Sequence, residues 1–142
     1  MSFAEKQNRH LVGPDGFTQS AGISGTHNSA NFLMAVNDNG ARIVGVKPGS
    51  APGLVTYEYA IPSKDKAGNV TGYKLSTFNK TVYDPMVYSD AEVMRLGQMA
   101  AAKGYHQAVG DGVRQYSAEA GGIKFRIYID KKTGEVTNFH PE

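Results

Sequence analysis

The sequence predicts an α+β domain in which N-terminal helices and a loop pack on antiparallel β-sheet, with one helix inserted among the strands. Two observations lead there. Helical signals and a glycine-rich loop come first and strands dominate afterwards, so the chain lacks the strand–helix alternation of a parallel sheet. Residues 54–61 and 123–130 alternate with period two. In the second run Ile123, Phe125, Ile127 and Ile129 alternate with Lys124, Arg126, Tyr128 and Asp130, the pattern of a half-buried antiparallel strand with a basic, wet face.

The elements follow in order. Ser2 and Glu5 in "SFAE" form a capping box, which predicts a short helix over residues 3–9 that ends near His10. "LVGPDGFTQSAGISGTHNS" reads as a long loop, of a length that in compact domains tends to carry function. Asn28 or Ser29 caps the next helix, with Phe32, Leu33 and Val36 on one face and a stop at Gly40. "RIVGV" is a short strand. Residues 54–61 place Val55, Tyr57, Tyr59 and Ile61 on one side, and "VTGYKLSTF" is expected to complete a hairpin with them. Ser89 and Glu92 open the longest helix as a second capping box, with Tyr88 against Val93 as a hydrophobic staple and a stop at Gly104. Three strands close the chain: "VRQYSAE", "IKFRIYID" and "EVTNFHP".

Bulk properties narrow the chemistry. The 142 residues suffice for one domain with a real core, and 40% of them are hydrophobic. Cysteine is absent, which excludes disulfides, thiolate zinc sites and a cysteine nucleophile. A net charge of +2 and a pI near 8.8 permit a polyanionic partner without demanding one. No apolar run approaches the roughly 18 residues that span a bilayer, so stable membrane association is not expected. The first ten residues lack the apolar region of a signal peptide.

Phosphate-binding P-loops, dinucleotide fingerprints, HExxH, EF-hand loops and the GxSxG elbow are all missing. What remains is a histidine pair. His10 follows the first predicted helix and His27 precedes the second, so a loop that folds back brings both to one cleft. Two imidazoles that titrate near neutral pH can divide acid and base work. A ribonuclease of the transesterifying type needs that division and no metal. One ring takes the 2′-OH proton and the other protonates the departing 5′ oxygen. His27 precedes a helix N-terminus, whose amides and dipole suit a phosphate and favour a neutral imidazole base. Taken singly, either histidine reads as a surface or loop residue.

Two further segments join them. Lys80 in "FNKTVYDP" can neutralise charge that develops on a phosphorane. In "VTNFHPE" strand alternation puts Thr137 and Phe139 on one face and Asn138 and His140 on the other. A threonine hydroxyl there can bond a base or phosphate, and an aromatic ring can stack on a base. His106, after the long helix, reads as a structural or surface residue.

Together these pieces resemble the EndoU family of poly(U)-specific-type endoribonucleases, above all its bacterial toxin branch. The matches are His10 in "RHLVG", His27 in "SGTHN", Lys80 and Thr81 in "KTVYDP", and Thr137 with Phe139 in "TNFHP". The resemblance implies a barnase-like, colicin-like ribonuclease fold with His10 and His27 as the acid/base pair. It implies Lys80 and Thr137 as further catalytic residues, and Thr81, Phe139 and His140 as substrate contacts. No metal or other cofactor is implied. Phe139 stands where the family usually has tyrosine, and His140 intervenes before Pro141. Lys74 competes with Lys80 for the family's lysine. The family implies His10 as base whereas the helix terminus favours His27, and the assignment stays open. The toxin branch further implies that residues 1–142 are a single nuclease domain from the C-terminal end of a larger exported cell-surface protein. It would act in the cytoplasm of a target bacterium. Its partners would be RNA, with a tRNA anticodon loop as the candidate, and a dedicated immunity protein, the domain being otherwise monomeric. Two other readings remain at this stage: a secreted binding module with unrelated histidines, and a metal-dependent nuclease with His10, His27 and His140 as ligands.

Overall fold

The computed structural model describes residues 1–5 and 7–142. It is an α+β fold built on two three-stranded antiparallel sheets. The elements run α1 (Gln7–Val12), β1 (Pro14–Thr18), β2 (Gly22–Gly25), α2 (Ser29–Asp38), β3 (Arg42–Pro48), β4 (Leu54–Ala60), β5 (Pro62–Lys64), β6 (Val70–Tyr73), β7 (Phe78–Tyr83), α3 (Asp90–Asp111), β8 (Gln115–Ala120), β9 (Ile123–Ile129) and β10 (Val136–Pro141). One sheet has the order β3-β4-β7 and the other β10-β9-β8, with hairpins β1–β2 and β5–β6 beside them.

Two hydrophobic clusters form the interior, and Leu54 and Tyr83 of the β3-β4-β7 sheet belong to the one built on the other sheet. Ile123, Phe125 and Ile127 of β9 pack with Val136 and Phe139 of β10 against Val93, Leu96, Ala100 and Ala101 of α3. Tyr59 and Val82 of the other sheet, with Ile61, pack against Phe32, Ala35 and Val36 of α2. The alternating face expected of residues 123–130 is the one buried, whereas in residues 54–61 Tyr59 and Ile61 are buried but Val55 and Tyr57 only partly, and Leu54, Thr56 and Ala60 of the other face are buried too. No helix among the described residues is long and apolar enough to cross a membrane.

The first helix differs from its expected span of 3–9, of which residue 6 lies outside the described residues. Helix α1 starts at Gln7 because the preceding chain is used otherwise: Phe3 forms a parallel bridge with Val136, and the Ser2 carbonyl accepts from the Val136 amide. The expected loop holds the β1–β2 hairpin, whose Phe17 lies opposite Ile23 and packs into the α2 core. The partner of β4 is β7, not the "VTGY" strand, which pairs with the short β5. The segment around Lys80 is thus an edge strand of the β3-β4-β7 sheet.

Helix α3 is capped by Ser89, whose side chain accepts from the Glu92 amide. It runs past Gly104 to a left-handed cap at Gly112. Gly104 is a contact residue rather than a stop: a Cβ there would meet the Tyr116 ring at 2.8 Å. On α2 the buried residues are Phe32, Ala35 and Val36, while Leu33 is exposed.

Candidate active site

The two large sheets meet along a cleft of about 480 Å³. Its walls come from α1 (His10), from β2 and the turn after it (Ser24, Gly25, His27), from β7 (Asn79, Lys80, Thr81), from β9 (Tyr128) and from β10 (Asn138, His140). A broader depression of about 780 Å³ lies between α1 and the start of α3, but among the described residues no histidine or lysine lines it.

Backbone hydrogen bonds bring His10 and His27 together. The last carbonyls of a helix lack partners within it. Here the Thr26 amide donates to the His10 carbonyl at 2.9 Å and the His27 amide to the Leu11 carbonyl at 2.6 Å. The Asn31 side chain bonds the Val12 carbonyl at 3.0 Å. The histidine turn thus serves as the C-cap of α1. Such close approach requires glycine at position 25, where a Cβ would overlap the His10 carbonyl oxygen, and φ is +67°. Thr26 follows at φ +63°, a left-handed conformation that β-branched residues rarely adopt. The strained pair aims His27 into the cleft.

His27 is buried, 4% exposed, and not on an open turn as the sequence suggested. The local pattern was misleading because its cover comes from distant strands. Its Nδ1–H donates to the Thr81 carbonyl at 2.7 Å, which leaves Nε2 as the free nitrogen. Its main chain is clamped too, since its carbonyl accepts from the Tyr83 amide at 2.7 Å. Burial holds the His27 pKa well below the usual imidazole range. The charges of Lys80, His140 and His10 push the same way, and the Thr81 carbonyl opposes them. The expected helix amides play a smaller part than foreseen: Asn28 caps α2 and takes the amides of Ala30 and Asn31 with its own side chain.

His10 has its own orienting group. Asp15 Oδ2 lies 3.0 Å from Nδ1, which fixes the ring with Nε2 as the second nitrogen. Lys80 is mostly buried and donates to the Gly25 carbonyl at 2.7 Å. Burial brings its pKa down to about 8, so the ammonium persists at neutral pH. Lys74 bonds the Gln19 carbonyl and is not among the residues that line the cleft.

The other expected residues fall into two groups. Thr81 lines the cleft, but its hydroxyl is shared with Thr56 at 2.7 Å and its carbonyl holds His27. His140 also lines it, stacked on His27 with centroids 4.9 Å apart and planes 3° apart. Thr137 and Phe139 do not reach it. Thr137 is exposed and bonds the Tyr128 carbonyl at 3.4 Å. Phe139 is fully buried in the core between Phe3, Phe125 and Gly97. The cause is a β-bulge between Val136 and Asn138. It breaks the alternation, so Val136, Phe139 and Pro141 face inward while Asn138 and His140 face the cleft. His106 is exposed, as expected.

Sequence reasoning passed over Asp15, Tyr128 and Asn138. Tyr128 had a usable signal, being on the wet face of its strand. Asn138 carries a buried Oδ1 without a hydrogen-bond partner among the described residues. Among those residues no three His, Asp or Glu side chains gather as a metal site.

Two imidazoles with fixed tautomers and a buried ammonium around one cleft define a centre suited to acid/base chemistry on an anionic substrate. The chain is similar over its whole length to parts of two proteins called tRNA nuclease CdiA. With that from Escherichia coli it is 47% identical over 146 aligned positions, and with that from Yersinia mollaretii 48% identical over 142. The alignments cover 100% and 99% of this chain but only 4% and 5% of those proteins. The chain therefore spans about a twentieth of the curated relatives it matches. No family model matches it.

Proposed function

We propose that this chain is a nuclease domain of a contact-dependent growth inhibition toxin that cleaves RNA, tRNA in particular, without metal. The observation that carries the reading is that His10, His27 and Lys80 line one cleft. The relatives' name, tRNA nuclease, supports the substrate class. The chemistry belongs to the EndoU type.

In this reading His27 is the base. Its environment keeps it neutral, and Nε2 is its free nitrogen. It removes the proton from the ribose 2′-OH, whose oxygen attacks the adjacent phosphorus. His10, steadied by Asp15, donates a proton to the 5′ oxygen as the P–O5′ bond breaks. Lys80 faces the charge that builds on the non-bridging oxygens, where a buried cation acts most strongly. The products are a 2′,3′-cyclic phosphate and a 5′-hydroxyl, and DNA is inert because it lacks the nucleophile. Asn138 and Thr81, which line the cleft, contact the nucleotide. Thr137 and Phe139 have structural parts in this account. The domain belongs to a larger exported protein, acts in the cytoplasm of a target bacterium and is blocked there by an immunity protein.

The test is incubation of the protein with bulk RNA and with DNA, in EDTA and with added divalent metal. RNA cleavage in EDTA, lost in His10→Ala and His27→Ala, is the expected outcome. RNA left intact under every condition overturns the reading.

A further inference from the structure

We propose that Tyr128 and His140 form a brace that holds the His27 ring in its working orientation, so that both act as positioning residues and not as proton carriers. This goes beyond the proposed acid/base pair and, in its kinetic part, rests on that reading.

Both nitrogens of His140 are already used. Nδ1 lies 3.0 Å from the Pro141 carbonyl, which only accepts, so Nδ1 carries the hydrogen. Nε2 is then an acceptor and takes the Tyr128 hydroxyl at 3.1 Å. The tautomer is fixed and no nitrogen is left to exchange a proton with substrate. What His140 offers is its face, stacked on His27.

His27 needs that face. Its bond to the Thr81 carbonyl anchors one nitrogen but leaves the ring able to tip about that anchor. A parallel ring at 4.9 Å blocks the motion on one side. Burial, with Lys80 and Arg126, also favours an uncharged His140, against the Pro141 carbonyl and Glu142. Lys80 of β7 and His10 of α1 face His27 together with His140, while Lys80, Arg126 and Glu142 surround His140.

The bulge in β10 exists in register with this task. It pairs Asn138 with Tyr128 and His140 with Arg126. Val136 lies opposite Ile129, so an unbroken ladder would set His140 opposite Phe125, on the core face. One inserted residue delivers His140 to the cleft beside Tyr128.

The experiment compares wild type, His140→Ala, His140→Phe and Tyr128→Phe by steady-state RNA cleavage and by nitrogen-15 NMR of the His27 ring. Phenylalanine keeps a flat ring over His27 but has no nitrogen. The brace predicts that His140→Ala loses about a hundredfold in kcat at unchanged KM, the cost of a misplaced catalytic group. It predicts that His140→Phe stays within about tenfold of wild type and that Tyr128→Phe falls between the two. The His27 resonances should broaden in His140→Ala and stay sharp in His140→Phe. A raised KM with intact kcat in both His140 variants would overturn the proposal in favour of a substrate contact. Equal loss of kcat in the Ala and Phe variants, with unaltered His27 resonances, would overturn it in favour of a proton carrier. If wild type cleaves no RNA, the functional reading falls. The NMR comparison still decides the brace, since a His27 spectrum unchanged in His140→Ala contradicts it.

Discussion

His27 combines a tautomer fixed by the Thr81 carbonyl with a depressed affinity for protons, and the second has measurable consequences. Unfolded, the imidazole titrates near 6.5; folded, it does so well below. As pH falls through about 6.5 the unfolded chain takes up a proton that the folded chain declines, so stability drops toward acid. Thermal unfolding between pH 7.5 and pH 5 should show this fall, and His27→Gln should flatten it. Lys80 works in the opposite range. Its pKa of about 8 lies below the ordinary 10.5, so between those values the unfolded chain holds the extra proton and the Lys80 contribution to stability grows with pH. Cleavage should do the reverse, declining as pH rises through about 8 and the ammonium is lost. A pH–rate profile measured beside the unfolding curve checks both signs; a rate that stays flat to pH 10 contradicts the role given to Lys80. Removal of either histidine of the pair should reduce kcat by about 10²- to 10⁴-fold, the usual share of a general acid or base.

Among the elements, the turn from Gly25 to His27 bears most on the site. Gly25→Ala meets the His10 carbonyl and an unfavourable φ together, so it should both destabilise the fold and separate the histidines. Loss of cleavage along with a lowered Tm is the expected outcome. Gly97→Ala tests packing alone, because its Cβ would overlap the Phe139 ring. Overpacking of this kind costs about 1–3 kcal/mol, which a denaturant titration resolves. The pattern of what the sequence disclosed belongs at this scale as well. Periodicity located β9, which buries one face against a single core, and β4, although β4 buries residues of both faces. It also located the caps at Asn28 and Ser89, which are local hydrogen bonds. It did not locate β7, whose short run "FNKTVY" mixes both faces, nor the β1–β2 hairpin, whose ladder contains glycines and only one large apolar cross-strand pair. Gly104 was mistaken for a stop because a glycine that admits a neighbouring ring looks, in sequence, like one that ends a helix. The roles of Thr137 and Phe139 failed on a bulge, which no alternation rule anticipates.

At the scale of the molecule, the cleft lies where the two large sheets meet. One contributes Lys80 and Thr81, the other Tyr128, Asn138 and His140, and α1 with the turn before α2 closes the gap with His10 and His27. The histidine pair was legible because its two members flank one loop. The burial of His27 was not, since its cover comes from β7 and β10, far along the chain. The reaction proposed for this junction is tested most directly by the chemistry of the cut end. Wild-type protein should be incubated with tRNA in EDTA and the 3′ end of the upstream fragment identified by mass spectrometry. The account predicts a 2′,3′-cyclic phosphate. A free 3′-hydroxyl, or no cut until divalent metal is added, would contradict it.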